Sequence, residues 1–370
     1  MKIRRSTRIM LALAVLMIAV NIAARFFPAA VDVYIQRIFP YYPGIWSRFT
    51  GLFPFSVGEW MIVAGIVLLV IALPLYLILM LIFRHDNDKK TVAASWYGRF
   101  YGWVLTLVLC IVTMRFTVLY RGTQLSKTIG HTEYSDAQVL EVVSALVDQA
   151  NALAPQVARD ESGFFAMTDD LMPEAKACMA RISEEYPQFR GYYPDAKPIH
   201  HAYFFSQQKL LGIYFPHSME AIYNPVVYPV NLPSTVCHEY THLKGNIFED
   251  EAGYYAYLAC MTSDSPDFRY SATISALEWF TPEFGDPAAW EQYTQILDTL
   301  DPGVQQDMYR FIPEEYWEEH KDEEVIPTAI VSDTADAVMD ASLKVNGIPE
   351  GTGSYSGMTL LLLHHYLDEN

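Results

Sequence analysis

The sequence predicts a mainly α protein with three N-terminal transmembrane helices. A mostly helical α+β domain follows, placed outside the cytoplasm, with a small strand or hairpin element just ahead of a His-Glu-x-x-His helix. Three observations lead there. Residues 1–120 hold 12 Lys/Arg against 4 Asp/Glu, whereas residues 121–370 hold 13 against 39, which gives the overall −18. The basic part contains three long apolar runs, each suited in length to a bilayer. The acidic part shows helical apolar spacing over most of its length, interrupted by one aromatic, glycine- and proline-punctuated stretch. The division reads as a membrane module over 1–120 and a water-exposed domain over 121–370. So negative a second part argues against nucleic acid as a partner, and the bilayer is the partner of the first.

Lys2, Arg4, Arg5 and Arg8 precede an apolar run to about Ala24. A signal peptide shares this shape, but Asn21-Ile22-Ala23-Ala24-Arg25 is a poor cleavage site, so the expectation is an uncleaved first span over about 9–25. The second span covers about 60–83, with Pro74 kinking it, and the third about 101–120, with Arg115 snorkelling at its end. The basic N-terminus and a basic loop over 84–90 belong in the cytoplasm by the positive-inside rule. The loop over 26–59, rich in aromatics and proline (Phe39-Pro40-Tyr41-Tyr42-Pro43, Phe53-Pro54-Phe55), then lies outside, as does the acidic domain.

Within the acidic domain, Val139, Val142, Val143, Leu146 and Val147 recur at helical spacing over 135–153, with Ser135 and Asp136 at its start. Residues 172–186 read as a helix introduced by Pro173. Residues 203–228 read as strands or a hairpin, because Phe204, Phe205, Ile213, Tyr214, Phe215, Val226, Val227 and Tyr228 are divided by Gly212, Pro216 and Pro225. Helices are expected over 272–279, 288–300, 334–343 and 354–367. Loops are expected at Ser263-Asp264-Ser265-Pro266 and Asp301-Pro302-Gly303, and a solvated acidic helix face over 314–324. Three of the four cysteines lie in the acidic domain and make no even disulfide framework there. Cys110 lies in an apolar run, and Cys178, Cys237 and Cys260 read as buried small side chains.

The chemistry concentrates in Cys237-His238-Glu239-Tyr240-Thr241-His242-Leu243-Lys244-Gly245, followed by Asn246-Ile247-Phe248-Glu249-Asp250-Glu251-Ala252. His238 and His242, four apart on a helix, share a face and can ligate one zinc ion. Glu239 is placed as general base toward water at that metal, the arrangement of the H-E-x-x-H signature. A catalytic zinc takes three protein ligands, so a third is needed from nearby. Gly245 suits the end of this helix and Glu249, Asp250 and Glu251 the start of the next.

The order Glu249-x-x-Ala252, followed by Gly253-Tyr254-Tyr255-Ala256, resembles the second-helix motif of gluzincin peptidases. That resemblance implies Glu249 as third ligand, with Glu251 the runner-up. Where such peptidases often carry an Asp bracing a zinc histidine, this chain has Gly253, so any brace comes from elsewhere. More widely, the chain resembles a bacterial domain-of-unknown-function family of three-helix membrane proteins with a zincin-like C-terminal domain. The likeness is carried by Phe53-Pro54-Phe55-Ser56-Val57-Gly58-Glu59, by Gly212-Ile213-Tyr214-Phe215-Pro216 with Glu220-Ala221, by the stretch from His238 to Cys260, and by Ser354-Tyr355-Ser356-Gly357.

The expected function is a membrane-anchored zinc metallopeptidase acting on a peptide or protein outside the cytoplasm. The strand before the zinc helix is the candidate to pair with extended substrate. Glu220 and Tyr355 are candidate substrate contacts, and Tyr355, Tyr223, His200 or His201 a candidate oxyanion partner. The alternative is a non-catalytic membrane protein whose metal site is structural or vestigial and whose acidic domain binds a partner. An intramembrane protease is disfavoured, since the motif lies in polar sequence away from the apolar runs.

Overall fold

The computed structural model of the protein describes residues 4–130, 133–349 and 351–368, and the side chains of all of these except 354–356. Among the described residues three helices are long and apolar enough to cross a membrane, which supports a membrane protein. They are α1 (Arg5–Ala24), α4 (Val57–Ile82) and α5 (Asn87–Val112), the last prolonged by a π-helical turn at Thr113–Thr117. A helix is the form that satisfies every backbone group internally in lipid. The basic loop expected over 84–90 shrinks to a tight turn, because Asp86 accepts the Lys89 N–H and starts α5 at Asn87. Tyr97 and Tyr101 donate to the Ala72 and Leu68 carbonyls (2.7 and 3.1 Å) and hold α5 against α4.

The segment between α1 and α4, expected as a loop, is largely helical. It forms α2 (Pro28–Arg37), a π turn at Pro43–Ser47 and the single turn α3 (Arg48–Thr50). One side, with Val31, Tyr34 and Phe39, is buried in the same core as the acidic domain. The other side leaves Tyr41, Ile45 and Leu52 exposed, the composition of a membrane–water interface layer.

Polar side chains lock this segment to the acidic domain. Ser47 Oγ donates to the Met219 carbonyl (2.7 Å) and Thr50 Oγ1 to that of Ser218 (3.2 Å). Lys197 Nζ reaches the Thr50 and Phe55 carbonyls and pairs with Glu220 at 2.6 Å. Glu220 in turn accepts the Val57 and Gly58 N–H groups (3.2 and 2.7 Å), which have no partner inside α4. In the same first turn, the Glu59 carboxylate accepts the His200 and His201 N–H groups, both at 2.8 Å.

After the membrane helices, α6 (Asp136–Leu153) opens with a Ser135–Gln138 capping box. A short antiparallel pair, β1 (Ala158–Arg159) and β2 (Phe165–Ala166), leads to α7 (Leu171–Ile182). A second sheet has the order β3-β5-β4, with β3 (Lys197–Pro198) parallel and β4 (Gly212–Phe215) antiparallel to β5 (Glu220–Tyr223). The hairpin expected over 203–228 is thus β4–β5 alone. Tyr203 and Phe205 lie in α8 (Ala202–Gln207), whose aromatics pack as a helix, since strand propensity yields to context. Val226–Tyr228 stays irregular between Pro225 and Pro229, with the Tyr228 N–H spent on the Phe311 carbonyl.

Then come α9 (Leu232–Leu243), α10 (Glu249–Met261) and α11 (Pro266–Trp279), packed together with α7 and the sheet. They are followed by α12 (Pro287–Leu297), α13 (Pro302–Asp307), α14 (Glu314–Glu319), α15 (Thr328–Val345) and α16 (Gly357–Leu367). Two expected loops turn out to be helix starts. Ser265 caps the Asp267 N–H ahead of Pro266, and Asp301 caps the Gly303 N–H ahead of Pro302, each Pro taking the first helical position. Glu324 likewise binds the Thr328 N–H and extends α15 backward from 334 to 328.

Glu220 and Lys197 are 2 % and 7 % exposed, so neither has water to replace a lost partner. Glu220→Ala should therefore destabilise the protein by about 3–5 kcal/mol, the usual cost of orphaning a buried charge. The Lys197→Met/Glu220→Leu double variant should recover part of that loss. Thermal unfolding of the detergent-solubilised chain checks this, and a single variant as stable as wild type would contradict it.

Candidate functional site

α9 begins with Pro233 in its first turn, where no N–H is needed, and ends at Leu243. Gly245 then adopts φ +94, a left-handed conformation that side chains resist. A Cβ there would also meet Phe39 Cδ1 at 2.9 Å, so the interface segment packs directly beneath the turn. The chain reverses and α10 starts at Glu249, with its three acids in the first turn.

This geometry brings His238, His242 and Glu249 together. The imidazole centroids are 4.6 Å apart with rings nearly perpendicular. Glu249 Oε2 lies 3.1 Å from His238 Nε2 and 3.4 Å from His242 Nε2, and one donor atom from each residue lies within 4.8 Å of the others. Donors about 2.0–2.1 Å from a tetrahedral zinc are separated by about 3.3–3.4 Å, so the Glu249–imidazole spacing fits that ion. His242 Nδ1 sits 2.7 Å from the Asn246 carbonyl. A carbonyl only accepts, so Nδ1 carries a proton, and in the neutral imidazole the lone pair is on Nε2, facing the site.

The electrostatics follow from burial and proximity. Burial lowers the His238 pKa. It acts the same way on His242, but the Glu249 charge outweighs it and raises that imidazole to about 9. Burial would raise Glu249, yet the two histidines hold it well below the usual carboxylate range. Glu239 differs. Burial pushes it up to about 8, and its Oε2 is buried without a hydrogen-bond partner. An orphaned carboxylate oxygen next to three convergent metal donors is costly unless something in the cavity uses it.

The cavity has a volume of about 510 Å³. His238, Glu239, His242 and Glu249 form one wall. The edge strand β4 forms another, and Val112, Phe116 and Tyr120 from the end of the third membrane helix form a third. Met339 and Leu343 of α15 complete it. β4 approaches α9 closely: a Cβ on Gly212 would sit 2.7 Å from Glu239 Oε1 and 2.8 Å from Thr235 Cγ2.

Other candidates lie elsewhere. Glu251 is turned to the Leu125 N–H (2.5 Å), and burial raises it to about 8. Glu220 is spent on Lys197 and the start of α4 and does not line the cavity. His201 bonds Glu59, His200 stacks on Trp60, and Tyr223 is on β5 outside the cavity wall. The side chain of Tyr355 lies outside the described residues. Cys178, Cys237 and Cys260 are free and buried. Sequence reading passed over Tyr120, Tyr214 and His217, all of which line the cavity. Tyr214 is engaged with Met219 Sδ (3.2 Å). Burial, then the Glu249 charge, raises the Tyr120 hydroxyl. The signal for Tyr120 was its position two turns beyond Val112 in the third apolar run.

The family model described as "Protein of unknown function (DUF3810)" matches residues 34–363. No curated protein and no solved structure matches the chain.

The close contact at Gly212 generates a test. Gly212→Ala forces β4 away or displaces Glu239, and overpacking of this kind costs about 1–3 kcal/mol. Thermal unfolding of the variant in detergent should show that loss, and an unchanged midpoint would contradict the packing described.

Proposed function

The chain belongs to the DUF3810 family, and we propose that it is a membrane-anchored zinc metallopeptidase with a zincin-like domain outside the cytoplasm. One observation carries this reading: two imidazoles and one carboxylate converge beside an unpartnered buried Glu239, within a cavity bordered by an edge strand. His238 Nε2, His242 Nε2 and a Glu249 oxygen would hold the ion. Zinc so held supplies Lewis acidity, which acidifies water and polarises a carbonyl. The basic N-terminus and the basic turn before α5 support the cytoplasmic assignment of those ends, hence of the domain to the far side.

The chain's own residues do the rest. Glu249 is engaged by both imidazoles, which leaves the neighbouring Glu239 to exchange protons. Burial favours the neutral form of Glu239 in the isolated protein, and a cation held beside it would favour the carboxylate, the form in which Glu239 is a base. It takes a proton from water as the water oxygen bonds to the peptide carbonyl carbon. It then returns that proton to the departing nitrogen as the C–N bond breaks. The products are a carboxylate and an amine, and one water is consumed. β4 can pair with an extended peptide and hold its carbonyl against this wall. Tyr120, which lines the same cavity, would be the donor to a developing oxyanion.

Full-length protein in detergent should bind about one zinc per chain, as expected for a single three-residue site. His242→Ala and Glu249→Ala should lose it, and Glu251→Ala should keep it. Glu239→Gln should keep zinc and lose hydrolysis of a fluorogenic peptide library by about 10²–10⁴-fold. Hydrolysis at the wild-type rate in Glu239→Gln, or zinc retained in Glu249→Ala, would overturn the assignment.

A further inference from the structure

One wall of the cavity is a membrane helix. Leu105, Val108 and Val112 lie on one face of α5, at spacings of three and four residues. Leu105 and Val108 are exposed along the stretch that spans the membrane, at 66 % and 41 %. Val112 lines the cavity, and Phe116 and Tyr120 continue into it. A single apolar face therefore runs from the lipid-facing surface directly into the chamber that holds His238, Glu239 and His242. The interface segment, with Tyr41, Ile45 and Leu52 exposed, packs Tyr42 and Trp46 against Arg115 just past α5 and is bolted to the domain through Ser47, Thr50 and Lys197. The domain is thus seated on the membrane module.

Resting on the metallopeptidase reading, we propose that the substrate is a membrane-anchored polypeptide, cut in the extended segment just outside its own apolar span. Two features select this occupant. The α5 face offers an apolar surface continuous with the bilayer, along which another span can pack. The edge strand β4 offers backbone hydrogen bonds to an extended chain, which a lipid does not need. Geometry also bounds the cut. Eight residues separate Val108 from Phe116, about 12 Å of helix, which an extended peptide crosses in about four residues. The scissile bond should fall within about six residues of the substrate's span.

The experiment uses the full chain in phosphatidylcholine/phosphatidylglycerol nanodiscs with zinc added, and two probes. One is a single-span Leu/Ala peptide with a polar extension, and the other is the same extension alone. The anchored probe should be cut at least about tenfold faster, consistent with the high effective concentration of a co-embedded ligand, and mass spectrometry should place the cut near the span. In Glu239→Gln, a photo-reactive residue at the membrane-proximal end of the extension should crosslink to β4 or to residues 112–120. Equal cutting of both probes, or a cut far from the span, would overturn this proposal and leave the peptidase standing. Failure to crosslink in Glu239→Gln would also overturn it. Crosslinking without cleavage by wild type would uphold the docking and overturn the peptidase.

Discussion

The hydrogen bond from His242 Nδ1 to the Asn246 carbonyl joins the end of α9 to the turn that begins α10, and the site depends on it. It exists because Gly245 takes a left-handed conformation that brings Asn246 back under the helix. The same reversal sets Glu249 at the head of α10, within 3.4 Å of both Nε2 atoms. Helix, turn and helix are each ordinary. Together they fix the tautomer of one imidazole and the position of the acid beside it. Phe39 fills the space under Gly245, so the membrane-side segment takes part in holding the turn.

A second constraint couples the site to the bilayer. Glu220 closes the start of α4 and pairs with Lys197, while Glu59 on α4 binds the backbone at His200 and His201. These contacts tie the β3-β5-β4 sheet to the membrane module. Because β4 and the end of α5 both line the cavity, the chamber is assembled from both parts of the chain. A flexible tether would leave such a wall undefined.

Much of this was legible in the sequence, for local reasons. Apolar runs announce the spans, and a four-residue spacing puts His238 and His242 on one face whatever surrounds them. The choice between Glu249 and Glu251 was not local. Two residues apart on α10 they point in different directions, and only the packing turns Glu251 to Leu125 and Glu249 to the imidazoles. Helix starts at Asp86, Ser265 and Asp301 read as loops because their cap residues are also turn residues. The role of Glu220 was hidden because its partners Val57 and Gly58 lie more than 160 positions away. The helical character of the segment before α4 was hidden likewise, since Met219 and Ser218 supply its partners.

The central claim is that an ion held by His238, His242 and Glu249 keeps one position open to water. X-ray absorption at the zinc edge of the full-length, zinc-loaded chain tests it most directly. The account predicts four nitrogen or oxygen donors at about 2.0–2.1 Å, two with imidazole scattering, and a change in the shell when a hydroxamate is added. Sulfur at about 2.3 Å, bringing in one of the buried cysteines, or a closed shell that hydroxamate leaves untouched, would contradict it.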